Sequence, residues 1–166
     1  MGSTTTLLAK LQHKSGTVVV LNSPPEFEPV MQHWRAQGLP VSERRNPGST
    51  FLLVFVRGRA DIERQAGAVI TSVGQDGVLW FAYPKQSSTL YNTDIRRDVG
   101  WDVLGRMGYE GVRQIAIDDD WTALRFRSVD TIQRMQRDPS RAMTARGKQR
   151  AQSAAPGKAS PAGQRP

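Results

Sequence analysis

The polar residues best suited to chemistry lie in one stretch that follows a strongly apolar run. Residues 78–83 (VLWFAY) predict a central β-strand, which Pro84 ends. Ligands of open α/β sheets bind beyond the carboxyl ends of strands, so the loop over residues 85–93 is the best candidate for a binding site. The predicted ligand-binding residues are Tyr83, Lys85, Ser87, Ser88, Asp94 and Arg97.

Two interpretations of this loop stay open. In the first, Lys85 neutralises a phosphate or carboxylate, while Ser87, Ser88 and the first N–H groups of a following helix donate hydrogen bonds. In the second, the two serines only solvate a loop, and Thr93 or Asp94 caps the helix. The first interpretation predicts a small anionic ligand.

Two further motifs carry weaker signals. Arg97 and Trp101 are four residues apart, which fits cation–π stacking on a helix but also an ordinary solvated face. The aspartates of residues 118–120 suit a divalent cation, yet Asp is common in hairpin turns and no EF-hand spacing surrounds the run. The chain has no cysteine and two histidines, both in its first quarter. We therefore predict no metal site and assign no catalytic residue.

Apolar runs and turn signals predict strands that alternate with helices. Ser23 and Glu26 fit a capping box that opens a helix, which Gly38 closes. The predicted strands cover residues 17–21, 41–45, 51–56 and 78–83, with a hairpin of 112–117 and 122–126 after them. The other predicted helices cover residues 60–73, 94–107 and 129–137.

This order predicts an α/β fold with a mostly parallel sheet, helices on both faces and an antiparallel C-terminal hairpin. The order is Rossmann-like and resembles a trimmed methyltransferase core. Such an enzyme needs a glycine-rich turn after its first strand, where backbone N–H groups approach the cofactor. The chain has Asn-Ser-Pro-Pro at residues 22–25 instead. We therefore predict no cofactor.

Four segments together resemble an uncharacterised bacterial family, the domain of unknown function 3052. They are residues 55–64 (FVRGRADIER), 79–88 (LWFAYPKQSS), 94–101 (DIRRDVGW) and 116–127 (AIDDDWTALRFR). The resemblance covers about residues 7–130. It implies an α/β domain, and it brings neither a known activity nor catalytic residues.

The net charge of +8 is concentrated at the C-terminus. Residues 138–166 hold six cations and one anion in a context rich in Ala, Pro, Gly, Ser and Gln, which predicts a disordered basic tail after a single domain of residues 1–137. The tail residues predicted to contact nucleic acid weakly and without sequence specificity are Arg141, Arg146, Lys148 and Arg150.

These features favour a cytoplasmic, non-catalytic α/β module that binds a small anionic ligand or a protein partner. The alternative is an accessory nucleic-acid-associated protein that uses its basic tail. An enzyme of unknown reaction is a third hypothesis, which the missing cysteine and glycine-rich turn disfavour. No apolar stretch approaches the ~20 residues that a membrane span needs, so no membrane partner is expected.

Overall fold

The computed structural model describes residues 4–130 and residue 132. The chain divides into two compact units, Met1–Arg127 and Ser128–Pro166. Most of the predicted last helix and all the tail residues predicted to contact nucleic acid lie outside the described residues. The predicted end of the folded domain near residue 137 stays a prediction.

The first unit alternates helices with strands over most of its length. None of the helices in the described part of the chain combines the length and apolar character that crossing a membrane requires. The elements are α1 (Thr4–Lys10), β1 (Val18–Leu21), a 3-10 turn (Pro25–Phe27), α2 (Glu28–Ala36), β2 (Val41–Ser42), β3 (Ser49–Phe55), α3 (Arg59–Ser72), β4 (Val73–Pro84), α4 (Asp102–Arg106), β5 (Tyr109–Ala116) and β6 (Trp121–Ser128).

The strands form one six-stranded sheet in the order β2-β1-β3-β4-β6-β5. β1 is parallel to β2 and β3, and β3 is parallel to β4. β6 is antiparallel to β4, and β5 occupies the edge beyond it. The prediction of an α/β sheet with an antiparallel C-terminal hairpin is confirmed in this coarse form, whereas the parallel character is confined to the first four strands.

Both faces of the sheet are buried, which explains the almost continuous apolar character of β3. Side chains of a strand alternate between faces, so Leu53 packs on one face and Leu52 on the other. α1 and α2 share the core of the first face, to which Trp34 contributes. α3 and α4 share the core of the second, to which Ile62 contributes. The sheet edge where β1, β3 and β4 end therefore lies between two helical layers.

The predicted helix over residues 94–107 is wrong for most of its length. Only α4, Asp102–Arg106, is helical, and the preceding residues form an extended loop. Gly100 has a φ of +109°, a backbone conformation that interrupts a right-handed helix, and a Cβ at that position would lie 3.2 Å from Arg59. The predicted apolar stripe is also broken, because Val99 is 44% exposed. The serine loop is therefore not followed directly by a helix N-terminus.

The sequence did not predict α1. Its buried leucines, Leu7 and Leu11, are four residues apart, the spacing that brings two side chains to the same helix face. The carbonyl oxygen of Leu11 accepts a 2.8 Å hydrogen bond from the buried indole Nε1 of Trp80. The helix is seven residues long, and packing of Leu7 and Leu11 in the core holds it against the sheet.

Candidate functional site

The direction in which successive strands are added to the sheet reverses between β1 and β3. The connection after β1 leads through α2 to β2, whereas the connection after β3 leads through α3 to β4 on the opposite side. In open α/β sheets the two diverging connections leave a crevice at the carboxyl ends of such strands, and ligands bind there. In this protein that position lies between the residues that follow Leu21 and Phe55, and it is called the crevice below.

The turn after β1 brings a carboxylate to this crevice. Asn22 has a left-handed backbone (φ 59°), and its Nδ2 donates a 2.6 Å hydrogen bond to Oε1 of Gln65 on α3. Pro25 then begins the 3-10 turn, and the buried Phe27 anchors its end. Between them Glu26 is left exposed at the rim.

Two side chains from distant parts of the chain hold the Glu26 carboxylate. The hydroxyl of Tyr91 donates to Oε2 over 2.6 Å, and the indole Nε1 of Trp121 donates to the same oxygen over 3.0 Å. Trp121 is 1% exposed, so its indole N–H has little access to water and needs this acceptor. The orientation of the carboxylate is therefore fixed by two hydrogen bonds rather than by solvent.

Aromatic rings in edge-on and tilted contact form the floor beneath Glu26. The ring of Trp121 packs edge-on against Phe55 at the end of β3, with 5.0 Å between centroids, and Tyr91 lies 5.0 Å from Trp121 on another side. Phe27 closes the row at 4.9 Å from Phe55. A charged rim above an apolar floor is the usual composition of a small-molecule site.

Arg57 supplies the opposite charge at this rim. Its guanidinium carbon lies 4.9 Å from the centroid of the Tyr91 ring, a cation–π contact. Its backbone N–H donates to Oδ2 of Asp61 over 2.8 Å, which fixes the start of the connection to α3. No carboxylate of the described residues forms an ion pair with Arg57. The guanidinium is exposed and can accept a ligand's anionic group.

These contacts shift the pKa values of both Glu26 and Tyr91. Partial burial acts to raise the pKa of Glu26, but the hydrogen bonds from Tyr91 and Trp121, together with Arg57, outweigh it and lower the pKa. Burial and the hydrogen bond to Glu26 raise the pKa of Tyr91. At neutral pH the site therefore presents an ionised carboxylate and a protonated phenol.

The predicted serine loop supports this site rather than forming one of its own. Ser88 donates to Oδ1 of Asp120 over 2.8 Å and accepts a 3.1 Å hydrogen bond from the backbone N–H of Tyr91. The backbone N–H of Lys85 donates to the carbonyl of Asp120 over 2.8 Å. Ser88 therefore positions the segment that carries Tyr91. Ser87 is exposed.

The other predicted ligand-binding residues lie apart from that loop. Tyr83 is 3% exposed, its hydroxyl accepts a 3.1 Å hydrogen bond from Gln114 of β5, and burial raises its pKa. Asp94 accepts a 2.9 Å hydrogen bond from the backbone N–H of Arg59 at the start of α3. Arg97 is exposed. Tyr83 and Arg97 lie close enough for the charge of Arg97 to act on the Tyr83 hydroxyl, whereas Ser88 and Asp94 contact other elements. The ligand-binding role of the six predicted residues stays a prediction.

The structure gives the local contacts of the two motifs with weaker signals. Trp101, the predicted partner of Arg97, donates its Nε1 hydrogen bond to the carbonyl of Arg96 over 2.8 Å. The cation–π contact found among the described residues joins Arg57 and Tyr91. Oδ1 of Asp118 accepts hydrogen bonds from the backbone N–H groups of Asp120 and Trp121, each over 2.8 Å, as a turn residue does. Within the described residues no group of three acidic or histidine side chains could hold a metal ion.

The sequence interpretation of Glu26 as a capping-box residue is wrong. The 3-10 turn and α2 have no side-chain cap, and Ser23 points its hydroxyl at the sulfur of Met31 over 4.0 Å. Position was the signal that could have found the site, because Glu26 and Arg57 directly follow two neighbouring parallel strands. Tyr91 and Trp121 carried no such signal, since their sequence separation from Glu26 is 65 and 95 residues.

No family model and no curated protein matches the chain. The resemblance to the uncharacterised family stays a prediction. Several solved structures are similar. Ribosomal protein L11 methylase from Lactobacillus delbrueckii subsp. bulgaricus is 8% identical, with coverage of 75% of this chain and 76% of that one and a TM-score of 0.46. The chain's own parallel strand order β2-β1-β3-β4, with helices on both faces of the sheet, is a Rossmann-like arrangement.

Two further solved structures have similar sequence identities and TM-scores. A SAM-dependent methyltransferase from Aquifex aeolicus is 11% identical, with coverage of 74% and 88% and a TM-score of 0.45. A tRNA methyltransferase from B. subtilis is 13% identical, with coverage of 90% and 82% and a TM-score of 0.42. All three are named as methylases or methyltransferases, and against them the prediction of a non-catalytic binding module is not kept. The residues of the chain itself carry the function proposed below.

Proposed function

We propose that the protein is an enzyme that binds a zwitterionic, phosphate-free cofactor of the S-adenosylmethionine type in the crevice between β1 and β3. The observation that carries the proposal is the ionised carboxylate of Glu26, held at this crevice by Tyr91 and Trp121. A carboxylate fixed in one orientation is an acceptor for the ammonium or hydroxyl groups of a ligand. The lowered pKa makes it a weak base, so its role is to bind and orient.

The turn after β1 argues against a diphosphate-bearing cofactor. Phosphate cradles are made from backbone N–H groups at a glycine-rich turn and at the N-terminus of the following helix. Pro24 and Pro25 lack this donor, and Pro24 is buried. The next side chain is the carboxylate of Glu26, which repels phosphate. A dinucleotide therefore does not fit this crevice.

The two charges of the rim fit a zwitterion. Glu26 accepts a cationic or hydroxyl group, and the guanidinium of Arg57 pairs with a carboxylate. S-adenosylmethionine carries an ammonium, a sulfonium, ribose hydroxyls and a carboxylate, and it has no phosphate. When bound, it supplies an activated methyl group. Glu26 and Arg57 would hold its amino-acid or ribose groups, and the aromatic floor would exclude water below them.

Calorimetric titration of S-adenosylmethionine and of NAD into the wild-type protein tests the proposal. Loss of a charge-assisted hydrogen bond removes about 1.5–3 kcal/mol of binding free energy, so we expect Glu26→Gln to weaken S-adenosylmethionine by about 10- to 100-fold. Arg57→Gln should weaken it as well. Glu63→Gln on the exposed face of α3 is the matched control and should change nothing.

Two results would overturn the proposal. The first is binding of NAD with an affinity equal to or above that of S-adenosylmethionine, because the prolines of the turn leave phosphate without donors. The second is equal affinity of the wild-type protein and Glu26→Gln for S-adenosylmethionine, which would place its binding elsewhere.

A further inference from the structure

Arg125 is a buried charge on the C-terminal hairpin. It lies on β6 opposite Trp80 of β4, and 8% of its surface is exposed. Its Nη1 donates a hydrogen bond to Oε1 of Gln12, just after α1. Its Nε is fully buried and has no hydrogen-bond partner among the described residues. Folded proteins seldom leave such a donor unpaired, so the atom points to a missing acceptor.

Two more arginines lie close to Arg125. Alternate side chains of a strand share a face, which places Arg127 beside Arg125 on the face of β6 that packs towards α1. Arg113 belongs to the neighbouring strand, β5. Burial lowers the pKa of Arg125, and the charges of Arg127 and Arg113 lower it further, to about 10. Arg127 and Arg113 are thus each near enough to repel Arg125.

Negative charge is scarce on this face. The sequence contains no Asp or Glu before Glu26, so the segment that includes α1 contributes only positive charges, among them Lys10, whose Nζ donates to the carbonyl of Ala116. Within residues 4–130, no carboxylate forms an ion pair with Arg125 or Arg113. The charges of Arg125 and Arg113 are therefore not paired with a carboxylate of these residues, and a bound anion would compensate them.

We propose that Arg113, Arg125 and Arg127 form a binding site for a phosphate group, supplied by inorganic phosphate or by a phosphomonoester. Guanidinium groups match the oxygens of phosphate with paired, charge-assisted hydrogen bonds. A phosphomonoester carries about −1.5 to −2 charges at neutral pH, so it offsets a cluster of cations better than a carboxylate does. This cluster is called the hairpin site below.

The hairpin site is separate from the Glu26 crevice. Trp121, which holds Glu26, pairs with Pro84 at the carboxyl end of β4, whereas Arg125 pairs with Trp80, four residues back along the same strand. Phosphate at the hairpin site would not contact the charged rim. Its binding can be measured without reference to the cofactor of the crevice.

Titration of inorganic phosphate into the full chain, followed by calorimetry and by melting temperature, tests the site. Sodium chloride at equal ionic strength is the reference, because general screening acts through both salts. We expect phosphate to raise the melting temperature and chloride not to do so. Arg113→Gln, at an exposed position, should weaken phosphate at least tenfold, while the exposed Arg44→Gln should leave it unchanged.

Arg125→Lys provides a second test, since it keeps the charge and loses the paired donors of the guanidinium. Arg125→Lys should weaken phosphate binding even if the variant folds as the wild type does. Glycerol phosphate in place of inorganic phosphate distinguishes the two sources: tighter binding identifies a phosphomonoester site, and weaker binding identifies a site for the free ion. Equal phosphate affinity in the wild type and in Arg113→Gln, or an equal response to chloride, would overturn the proposal.

Discussion

The buried donors at the two ends of β6 differ in whether they have hydrogen-bond partners. At Trp121 the indole N–H meets the carboxylate of Glu26, which also accepts from Tyr91, so every donor of the cluster has a partner. At Arg125 the Nε has none among the described residues, and the nearest charges are of the same sign. At the Trp121 end the hydrogen bonds are therefore complete in the free protein. At the Arg125 end the proposed anion is needed to supply the missing acceptor.

This difference separates two kinds of site. A preorganised site such as the Glu26 crevice contributes to stability as well as to binding, because its polar groups are paired before the ligand arrives. A cluster of like charges destabilises the free fold and is stabilised by its ligand. Substitutions at the two ends should therefore change stability in opposite directions.

The largest effect is expected at the apolar floor of the crevice. Phe55 is 2% exposed and packs against Phe27 and Trp121. Phe55→Ala should lower the free energy of unfolding by about 3–5 kcal/mol, since it leaves a cavity in the core. Urea denaturation measures the change, and Val99→Ala, at a position 44% exposed, is the control with a change of about 0.5 kcal/mol or less. A wild-type midpoint for Phe55→Ala would show that the floor is not part of the core.

The next effect should have the opposite sign. Arg125→Met replaces a buried, unpaired cation by an apolar side chain of similar length, and such replacements are often stabilising. We expect the free energy of unfolding, measured in chloride buffer, to be about 1–2 kcal/mol higher than in the wild type. Phosphate should no longer raise the melting temperature of this variant. A marked destabilisation would mean that the hydrogen bond to Gln12 already stabilises the buried guanidinium.

The pH dependence of stability tests the Glu26 end. The folded pKa of Glu26 lies below its ordinary value of 4.5, so the unfolded chain takes up the proton first as the pH falls. The stabilisation is therefore complete above that value and is lost as the pH falls through the folded pKa. Urea midpoints of the wild type and Glu26→Gln should converge between neutral and acidic pH, whereas Glu63→Gln should follow the wild type throughout. A constant difference would contradict the assigned ionisation.

The smallest effect is expected at Lys85. Its backbone N–H is bonded to the carbonyl of Asp120, and this contact survives substitution of the side chain. Lys85→Ala should change the free energy of unfolding by about 0.5 kcal/mol or less. It should also leave phosphate binding unchanged if the hairpin site is responsible. Loss of the phosphate response in Lys85→Ala, with a normal response in Arg113→Gln, would move the anion to the serine loop.

Sequence patterns predicted the elements whose apolar spacing is regular. β3 and α3 lie where the apolar patterns after Asn46 and Gly58 predict them. A strand buried on both sheet faces needs continuous apolar residues, and a helix packed on one face needs periodic ones. The loop before α4 escaped prediction, since Ile95 and Met107 fit helical spacing although only Ile95 is buried. Periodicity does not show that Gly100 has a positive φ.

The candidate site could be predicted only in part. The end of each parallel strand is visible in the sequence, which could have singled out Glu26 and Arg57. The partners of Glu26 could not be found in this way, because Tyr91 and Trp121 reach it only through the folded positions of a loop and a hairpin. Their hydrogen bonds decide the charge of the site, and hydrogen bonds between distant residues leave no local pattern.

The central claim, that a zwitterionic cofactor binds against Glu26, is tested most directly by the indole N–H resonances in ¹⁵N-labelled protein during titration with S-adenosylmethionine. The Trp121 indole donates to Glu26, and the Trp80 indole donates to the carbonyl of Leu11 within the core on the side of α1. We predict a saturable shift of the Trp121 signal with no shift of the Trp80 signal, and loss of the Trp121 response in Glu26→Gln. An unmoved Trp121 signal at saturating cofactor would contradict the account.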